Sequence, residues 1–213
     1  MKKTIFLFPV VTIAAVFLIF SMNAFAQKTG VADKSTDTSP LVTGEVIPNV
    51  TVKNISGELV ELNSLVSAKP TILIFYRGGW CPFCNTQLLG LKKIESDLTA
   101  MGYQLIAISA DKPEKLKETL TKDELGYTLL SDYNSEAAIS FGLAFRVDDE
   151  TVEKYKGYGI NLDETSGNSN HILPVPAVYL IDMKGMIKFD YSNPDYKIRL
   201  DADELLKAAK SNK

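Results

Sequence analysis

The only two cysteines of the chain, Cys81 and Cys84, lie where two different sequence patterns meet, and this junction constrains the fold most strongly. Residues 70–76 (PTILIFY) are continuously apolar and rich in β-branched and aromatic side chains, which is typical of a strand buried on both faces. Pro82 suits a first helical position. After it, apolar residues recur every three or four positions as far as Met101, which predicts an amphipathic helix directly after the strand.

A second buried strand is predicted at residues 103–110 (YQLIAISA). Strand, helix and strand in this order predict a right-handed parallel crossover. Farther along, residues 177–182 and 186–192 predict an antiparallel hairpin, and a smaller hairpin is predicted around Asn54–Gly57. The expected fold class is therefore α/β, with a central mixed β-sheet, helices on both faces and an N-terminal β-hairpin extension.

The amino-terminal part of the chain reads as an export signal followed by a tether. Residues 1–26 combine two early lysines, a long apolar run and a small-x-small motif, so cleavage is expected before Gln27. The alternative is an uncleaved membrane anchor, because the run is nearly long enough to span a bilayer. Residues 27–43 are small and polar and predict a flexible linker, and residues 44–213 form the domain. The protein is expected to be exported, to the periplasm or the extracellular space.

Composition excludes several classes of site. The formal net charge is −3, from 23 basic and 26 acidic residues, and no basic cluster carries interleaved aromatics, so nucleic acid is not an expected partner. Two thiols and one imidazole, His171, fall short of the four ligands of structural zinc, so no metal is expected. A bridge between Cys81 and Cys84 closes too short a loop to stabilise a domain of this size appreciably. In an oxidising compartment it is nevertheless the default oxidised state.

The position of the cysteines favours redox chemistry. Cys81 is predicted at the start of a helix, where free N–H groups and the helix dipole stabilise a thiolate, and Cys84 follows one turn later. Two further residues have two interpretations each. His171 is either a proton donor near this centre or a surface histidine, and Trp80 is either a substrate contact or a hydrophobic lid at the strand end.

Residues 75–88 (FYRGGWCPFCNTQL) resemble the active-site region of the thioredoxin-fold superfamily. More narrowly, the chain resembles the peroxiredoxin-like branch of the alkyl hydroperoxide reductase/thiol-specific antioxidant family, over about residues 44–210. As a thioredoxin-type W-C-x-x-C centre, the resemblance makes Cys81 the nucleophile and Cys84 the resolving cysteine. As a peroxiredoxin-type Pro-x-x-x-Thr/Ser-x-x-Cys motif, it makes Cys84 the peroxidatic cysteine, with Cys81 at the Thr position and Arg77 at the Pro position.

The resemblance also implies a cis-proline before the strand at residues 177–182, which predicts a cis Val175–Pro176 bond facing the cysteines. The backbone of Val175 would then pair with an extended substrate. Typical members of the family carry an arginine just before this strand, and residues 171–180 (HILPVPAVYL) contain none. We expect Arg77, four residues before Cys81, to supply the positive charge near the thiolate.

The resemblance implies that a hydroperoxide is reduced at the expense of a thiol donor, such as a thioredoxin-like protein. Cys81 and Cys84 would cycle between dithiol and disulfide, with no cofactor because sulfur carries the electrons. The alternatives are thiol–disulfide exchange with a disulfide substrate and no peroxidase activity, or a binding module with a static disulfide. For exchange we expect Cys81 to attack and to be the more exposed sulfur. For peroxide the pattern favours Cys84, with Cys81 capturing its sulfenic acid, and the competing view is that Cys81 attacks in both reactions.

Overall fold

The computed structural model describes residues 30–123 and 125–212. The strands are β1 (Thr51–Lys53), β2 (Leu59–Glu61), β3 (Thr71–Tyr76), β4 (Gln104–Ser109), β5 (Thr128–Ser131), β6 (Ala144–Arg146), β7 (Ile172–Pro174), β8 (Ala177–Ile181) and β9 (Ile187–Ser192). The helices are α1 (Leu62–Ala68), α2 (Pro82–Ala100), α3 (Pro113–Asp123), α4 (Glu136–Ser140), α5 (Asp149–Gly157), α6 (Leu162–Ser166) and α7 (Ala202–Ser211), with a short 3₁₀ helix at Ser35–Asp37 before them.

The strands form a mixed sheet of order β2-β1-β5-β4-β3-β8-β9. β3 pairs in parallel with β4 on one side and antiparallel with β8 on the other. The predicted strand–helix–strand unit is therefore present as β3-α2-β4. The late hairpin is β8–β9 and the amino-terminal hairpin is β1–β2, both antiparallel. This architecture confirms the predicted fold class.

The core has two halves, one on each face of the sheet, and β3 contributes to both. Ile72, Ile74 and Tyr76 pack on the face covered by α2 and α7. Leu73 and Phe75 pack on the opposite face, with side chains of α1 and α4. Each large apolar side chain that is fully buried contributes about 1.5–3 kcal/mol to folding. The carboxyl end of β3, from which the cysteine loop leaves, is thus held from both sides.

The structure corrects the expectation of a flexible linker for residues 30–43. The Ala32 N–H donates to the carbonyl of Ala144 at 2.9 Å, the Arg146 N–H donates to the carbonyl of Ala32 at 2.9 Å, and Leu41 is buried. The segment is attached to the domain through backbone hydrogen bonds. These bonds do not depend on side-chain type, so the small polar composition of the segment does not predict them. The expected signal peptide, residues 1–26, lies outside the described residues, and no helix within them is long and apolar enough to cross a membrane.

Residues 144–174 form a small unit of their own beside the sheet. β6 and β7 pair as a two-stranded antiparallel sheet, and the short helices α5 and α6 lie between them along the chain. The Asp148 side chain accepts from the Thr151 N–H at 2.8 Å and caps α5. Val152 and other apolar residues of this unit share a small core. The unit carries Tyr155 and His171 towards the end of β3 that bears the cysteines.

Candidate active site

The loop that leaves β3 places Cys81 at the start of α2. Pro82 is the first helical residue, and Cys81 before it is extended, with φ −88° and ψ 115°. The carbonyl of Cys81 accepts from the Asn85 N–H at 3.1 Å, which is the first hydrogen bond of the helix. Cys84 lies one turn farther in. The strand, loop and helix thus bring the two sulfurs together at the amino-terminal end of α2, where the free N–H groups of the helix lie.

Two glycines let this loop pass close to its neighbours. A methyl group built on Gly78 lies 2.2 Å from Nε1 of Trp80 and 2.7 Å from Oδ1 of Asp111, so a larger residue does not fit. The Gly79 N–H donates to Oδ2 of Asp111 at 2.7 Å, and its carbonyl accepts from Nδ2 of Asn85 at 2.8 Å. The loop is therefore hydrogen-bonded to the segment that follows β4 on one side and to α2 on the other.

Neither cysteine is in a disulfide and both are buried, with exposed fractions of 1% for Cys81 and 0% for Cys84. Cys81 is the more exposed sulfur, as expected, but only marginally, because both side chains are almost completely covered. The reason is tertiary: an arginine from the loop and an arginine from the carboxyl-terminal segment both lie against the sulfurs. A substrate reaches the cysteines only past these side chains.

Arg77 is the arginine of the loop, and it lies beside Cys81. Its Nη1 is 3.8 Å from Sγ of Cys81, and its Nη2 donates to the hydroxyl of Tyr155. The guanidinium carbon is 4.0 Å from the centre of the Tyr196 ring and 4.9 Å from that of Trp80. Only 3% of the residue is exposed. A cation fixed between aromatic faces is held in place electrostatically, so its charge acts on Cys81 at a constant distance.

Arg199 is the second arginine, and sequence reasoning missed it. Its Nη2 is 3.3 Å from Sγ of Cys84, and its Nη1 is 3.5 Å from Oε1 of Gln87. It comes from residues 193–201, the segment between β9 and α7 that also supplies Tyr196. This contact joins residues 115 positions apart. The only signal in the sequence was the segment's place in the family resemblance, which does not say which side chain meets a cysteine.

The pKa values of the two cysteines are shifted in opposite directions. A hydrogen bond from the Cys84 thiol stabilises the Cys81 thiolate and, with the charge of Arg77, lowers the pKa of Cys81 to about 6 although burial opposes it. Burial raises the pKa of Cys84 well above its ordinary value. At neutral pH the site therefore holds a thiolate on Cys81 and a thiol on Cys84. Because the thiolate is the nucleophilic form, this distribution favours Cys81 as the attacking sulfur.

Trp80 and His171 have different surroundings. Trp80 is half-buried, its ring centre is 5.7 Å from that of Tyr155, and it packs against the core beside Arg77. This arrangement fits a hydrophobic lid. The Nε2 of His171 lies 2.7 Å from Oδ1 of Asp163, and the backbone of His171 has a φ of 51°. The imidazole is thus engaged with a carboxylate of α6, as a histidine in a turn would be.

The predicted cis Val175–Pro176 bond is wrong, because no peptide bond between described residues is cis. The chain continues without reversal from β7 of the small sheet to β8 of the central sheet, and the trans form keeps consecutive Cα atoms at the longer spacing. The Val175 N–H donates to the carbonyl of Leu143 at 2.9 Å, and the side chain lies in the core on the other face of the sheet. Val175 therefore does not offer its N–H to a substrate, whereas Pro176 lines a cavity beside Arg77.

Two cavities lie beside the arginines that contact the cysteines, and residues 193–201 contribute to the lining of both. One has a volume of about 320 Å³ and is lined by Arg77, Tyr155, Pro176 and Tyr196 among others. The other, of about 860 Å³, lies between α2 and residues 197–202, and Arg199 lines it. Both are within or near the usual size of small-molecule sites. Among the described residues, no group of three or more His, Cys, Asp or Glu side chains is arranged to hold a metal ion.

Comparison with known proteins identifies the family and the fold of this chain. The sequence model of the AhpC/TSA family matches residues 43–190. The chain is similar to the putative peroxiredoxin bcp of Haemophilus influenzae, with 35% identity over 105 residues, 49% of this chain and 67% of that protein. It is 32% identical to peroxiredoxin Bcp of Escherichia coli, also over 105 residues and the same shares of each chain. The crystal structure of peroxidoxin BcpB from Mycobacterium tuberculosis covers 81% of this chain and 99% of its own, with a TM-score of 0.63 at 19% identity, and so shares the fold.

Proposed function

This chain belongs to the AhpC/TSA family, as the sequence resemblance predicted, and its relatives are peroxiredoxins. We propose that it reduces hydroperoxides through a cycle of Cys81 and Cys84 in which Cys81 attacks. The single observation that carries the proposal is the Cys81 thiolate, stabilised by the Cys84 thiol and by Arg77, whose Nη1 lies 3.8 Å from Sγ. The assignment differs from the peroxiredoxin-type motif, which favours Cys84.

The first step transfers one oxygen atom. The Cys81 thiolate attacks the hydroperoxide oxygen that bears hydrogen, the O–O bond breaks, and the alkoxide leaves with the electron pair and takes up a proton. Cys81 becomes a sulfenic acid. Arg77 lines the smaller cavity, so its guanidinium is available to bind the polar end of the peroxide and to stabilise the negative charge that moves to the leaving oxygen.

The second step forms the disulfide. The Cys84 sulfur attacks the sulfenic sulfur of Cys81, and water leaves with the hydroxyl group and the proton of the Cys84 thiol. Arg199 at 3.3 Å favours negative charge on the Cys84 sulfur as it reacts. Two electrons have then passed from the pair to the peroxide, and an external thiol must return them. The rapid capture of the sulfenic acid protects Cys81 from further oxidation.

Thiol–disulfide exchange without peroxidase activity is the second candidate function. It is favoured by Cys81 at the position where the peroxiredoxin-type motif carries a hydroxyl, and by the resemblance of Trp80-Cys81-Pro82-Phe83-Cys84 to a thioredoxin-type centre. The two functions use the same sulfur chemistry and differ in substrate. Saturable consumption of peroxide by the reduced protein supports the peroxidase, and reduction of a model disulfide with no peroxide consumption supports exchange alone.

Single serine variants test which sulfur attacks. The Cys84→Ser protein should still react with peroxide and accumulate a sulfenic acid on Cys81, although more slowly, because the thiol that stabilises the thiolate has been replaced. The Cys81→Ser protein should not consume peroxide at a measurable rate. A sulfenic-acid trap followed by peptide mass spectrometry locates the modified cysteine. A trapped adduct on Cys84 in the Cys81→Ser protein, formed at the wild-type rate, would refute the assignment.

We also propose that the protein is exported and receives its electrons from an external thiol donor. Support for export comes from residues 1–26, whose basic start, apolar run and small-x-small motif have the order of a cleavable signal. Amino-terminal sequencing of the exported protein should begin near Gln27. A product that begins at Met1 and stays in the membrane fraction would contradict the cleavage.

A further inference from the structure

The larger cavity is a groove on the Cys84 side of the site, and the proposed peroxide chemistry does not use it. It runs between α2 and the start of α7, and its volume is about 860 Å³. Arg199 lines it, and the same guanidinium touches Sγ of Cys84 at 3.3 Å. The smaller cavity, in which we place the peroxide, is lined instead by Arg77. The groove is therefore a separate approach to the second sulfur.

The groove is positively charged in a protein of net negative charge. Its lining contains four cationic side chains and one carboxylate: Lys92, Lys93, Lys197, Arg199 and Asp201. The carboxylate of Asp201 accepts from the Asp203 N–H at 2.8 Å and caps α7, so the helix N-terminus offsets part of its charge. The chain as a whole has a formal charge of −3. A concentration of cations beside a reactive sulfur attracts an anionic reactant and raises its local concentration.

The floor of the groove is apolar and open. Phe83 and Leu89 line it and are 40% and 41% exposed. Gly90 also lines it, inside α2, and a methyl group built there meets no atom within 4 Å. Glycine inside a helix costs about 0.5–1 kcal/mol relative to alanine, and no neighbour among the described residues requires it here. The glycine leaves room for an occupant to lie against the helix backbone.

The burial of the sulfurs decides the size of that occupant. Neither cysteine is more than 1% exposed, so the reacting sulfur of a reductant has to enter a cavity to approach them. Arg199 lines the groove and also lies 3.3 Å from Sγ of Cys84, so a small thiol in the groove lies beside the side chain that covers this sulfur. The volume of the groove is also in the range of sites for small molecules.

We propose that the groove binds a small thiol carrying carboxylate groups, and that this thiol reduces the disulfide form by attacking Cys84. The inference rests on the proposed cycle, for which it names the reductant class. The reductant thiolate attacks Sγ of Cys84, the Cys81–Cys84 bond breaks, and Cys81 leaves as a thiolate with the electron pair. A second molecule of thiol then attacks the mixed disulfide, and Cys84 leaves and is protonated.

The leaving group agrees with this direction of attack. While Cys84 is held in the mixed disulfide it has no thiol to donate to Cys81, but the charge of Arg77 still lowers the pKa of Cys81, and a sulfur of lower pKa leaves faster in exchange. Arg77 remains beside Cys81 to receive the charge. Attack on Cys81 would instead expel Cys84, whose pKa burial raises.

The experiment compares thiols of different charge on the disulfide form of the full chain, prepared with an exogenous oxidant. Glutathione is the anionic probe, 2-mercaptoethanol the neutral one and cysteamine the cationic one, each rate being corrected for its thiolate fraction. Lys93→Glu/Lys197→Glu reverses two groove charges, and Lys69→Glu/Lys117→Glu is the matched control on exposed lysines elsewhere. The groove variant should lose at least ~5-fold in rate with glutathione and change by less than ~2-fold with 2-mercaptoethanol. The control variant should behave as wild type.

Rapid acid quenching and peptide mapping identify the mixed disulfide, which should join glutathione to Cys84. Three results would overturn the proposal. The two double variants could lose the same fraction of the reduction rate with glutathione, the adduct could lie on Cys81, or wild type could show no preference for glutathione over the other thiols. The proposal is also overturned if the groove variant is reduced more slowly by a reduced thioredoxin while its rates with the three small thiols equal those of wild type. That result would assign the groove to a protein partner. Peroxide consumption by reduced wild type is measured separately, so its absence would refute the peroxidase cycle and leave the thiol comparison interpretable.

Discussion

Removing the charge of Arg77 should raise the pKa of Cys81 and slow its reactions near neutral pH. The guanidinium nitrogen and the sulfur are 3.8 Å apart in a buried site. Two unit charges at about 4 Å interact by about 4 kcal/mol at an effective dielectric constant of about 20. That energy corresponds to about 3 pKa units, the upper end of the range of about 1–3 units that one neighbouring opposite charge produces. The hydrogen bond from Cys84 is the largest cause of the lowered pKa and remains in the variant, so we expect Arg77→Met to raise it by about 1–2 units.

This shift has a measurable consequence. With a pKa of about 6, roughly nine-tenths of Cys81 is thiolate at pH 7. A rise of about 1–2 units lowers that fraction to between roughly a half and a tenth. Iodoacetamide labelling of Cys81 at pH 7 should slow by about 2- to 10-fold. The midpoint of the thiolate ultraviolet absorbance should move upward by the same 1–2 units.

Two further variants separate charge from packing. Arg77→Lys keeps the charge and loses the planar group between the rings, so its pKa should lie between those of wild type and Arg77→Met. Arg146→Met is the matched control: Arg146 lines the same cavity but donates to the carbonyl of Asn170 at 2.7 Å. An unchanged pH midpoint in a folded Arg77→Met protein would refute the reasoning and leave Arg77 a packing role only.

Four other substitutions test neighbouring features of the structure. Arg199→Met should slow disulfide formation and increase overoxidation of Cys81 to sulfinic acid in excess peroxide, measured by mass spectrometry, and an unchanged sulfinic yield would exclude this role. Burial raises the pKa of Asp111 from 3.8 to about 7. Because the folded state then holds this proton more tightly than the unfolded state, the contribution of Asp111 to the free energy of unfolding falls as the pH rises from about 4 to about 7, by at most ~1.4 kcal/mol per pH unit. Asp111→Asn should remove that part of the slope in pH-dependent denaturant titrations, and an identical slope would contradict it. Gly78→Ala should lower the free energy of unfolding by about 1–3 kcal/mol, because its methyl group meets Trp80. Gly90→Ala should raise it by about 0.5–1 kcal/mol, because no described atom lies within 4 Å of the added methyl group. Equal denaturation midpoints for the two variants would count against both predictions.

The local elements around the site could be predicted because each depends on a short run of residues. The apolar run that became β3 is buried on both faces, and Pro82 begins α2 as its position indicated. The β8–β9 hairpin and the β1–β2 extension follow from alternating patterns joined by turns. These elements form wherever local periodicity and burial agree, and they place Cys81 at a helix start without any knowledge of distant residues.

The surroundings of the two sulfurs could not be predicted in the same way. Arg199 and Tyr196 come from a segment with no periodic pattern, and Tyr155 comes from a helix more than seventy residues beyond the loop. Residues 30–43 looked like a tether because their side chains are small and polar, yet they bind through their backbone. Each of these contacts depends on where separate parts of the chain cross, which no local pattern encodes.

The sequence by itself determined that two cysteines lie at the junction of a buried strand and a helix, and it determined the family to which the chain belongs. Only the tertiary structure decided that both sulfurs are buried, that a different arginine lies against each, and that the bond before Pro176 is trans. The physical reason is that a strand–helix junction arises from interactions within about thirty residues. The acidity of a buried thiol depends instead on solvent exclusion and on charges within a few ångströms, wherever in the chain they originate.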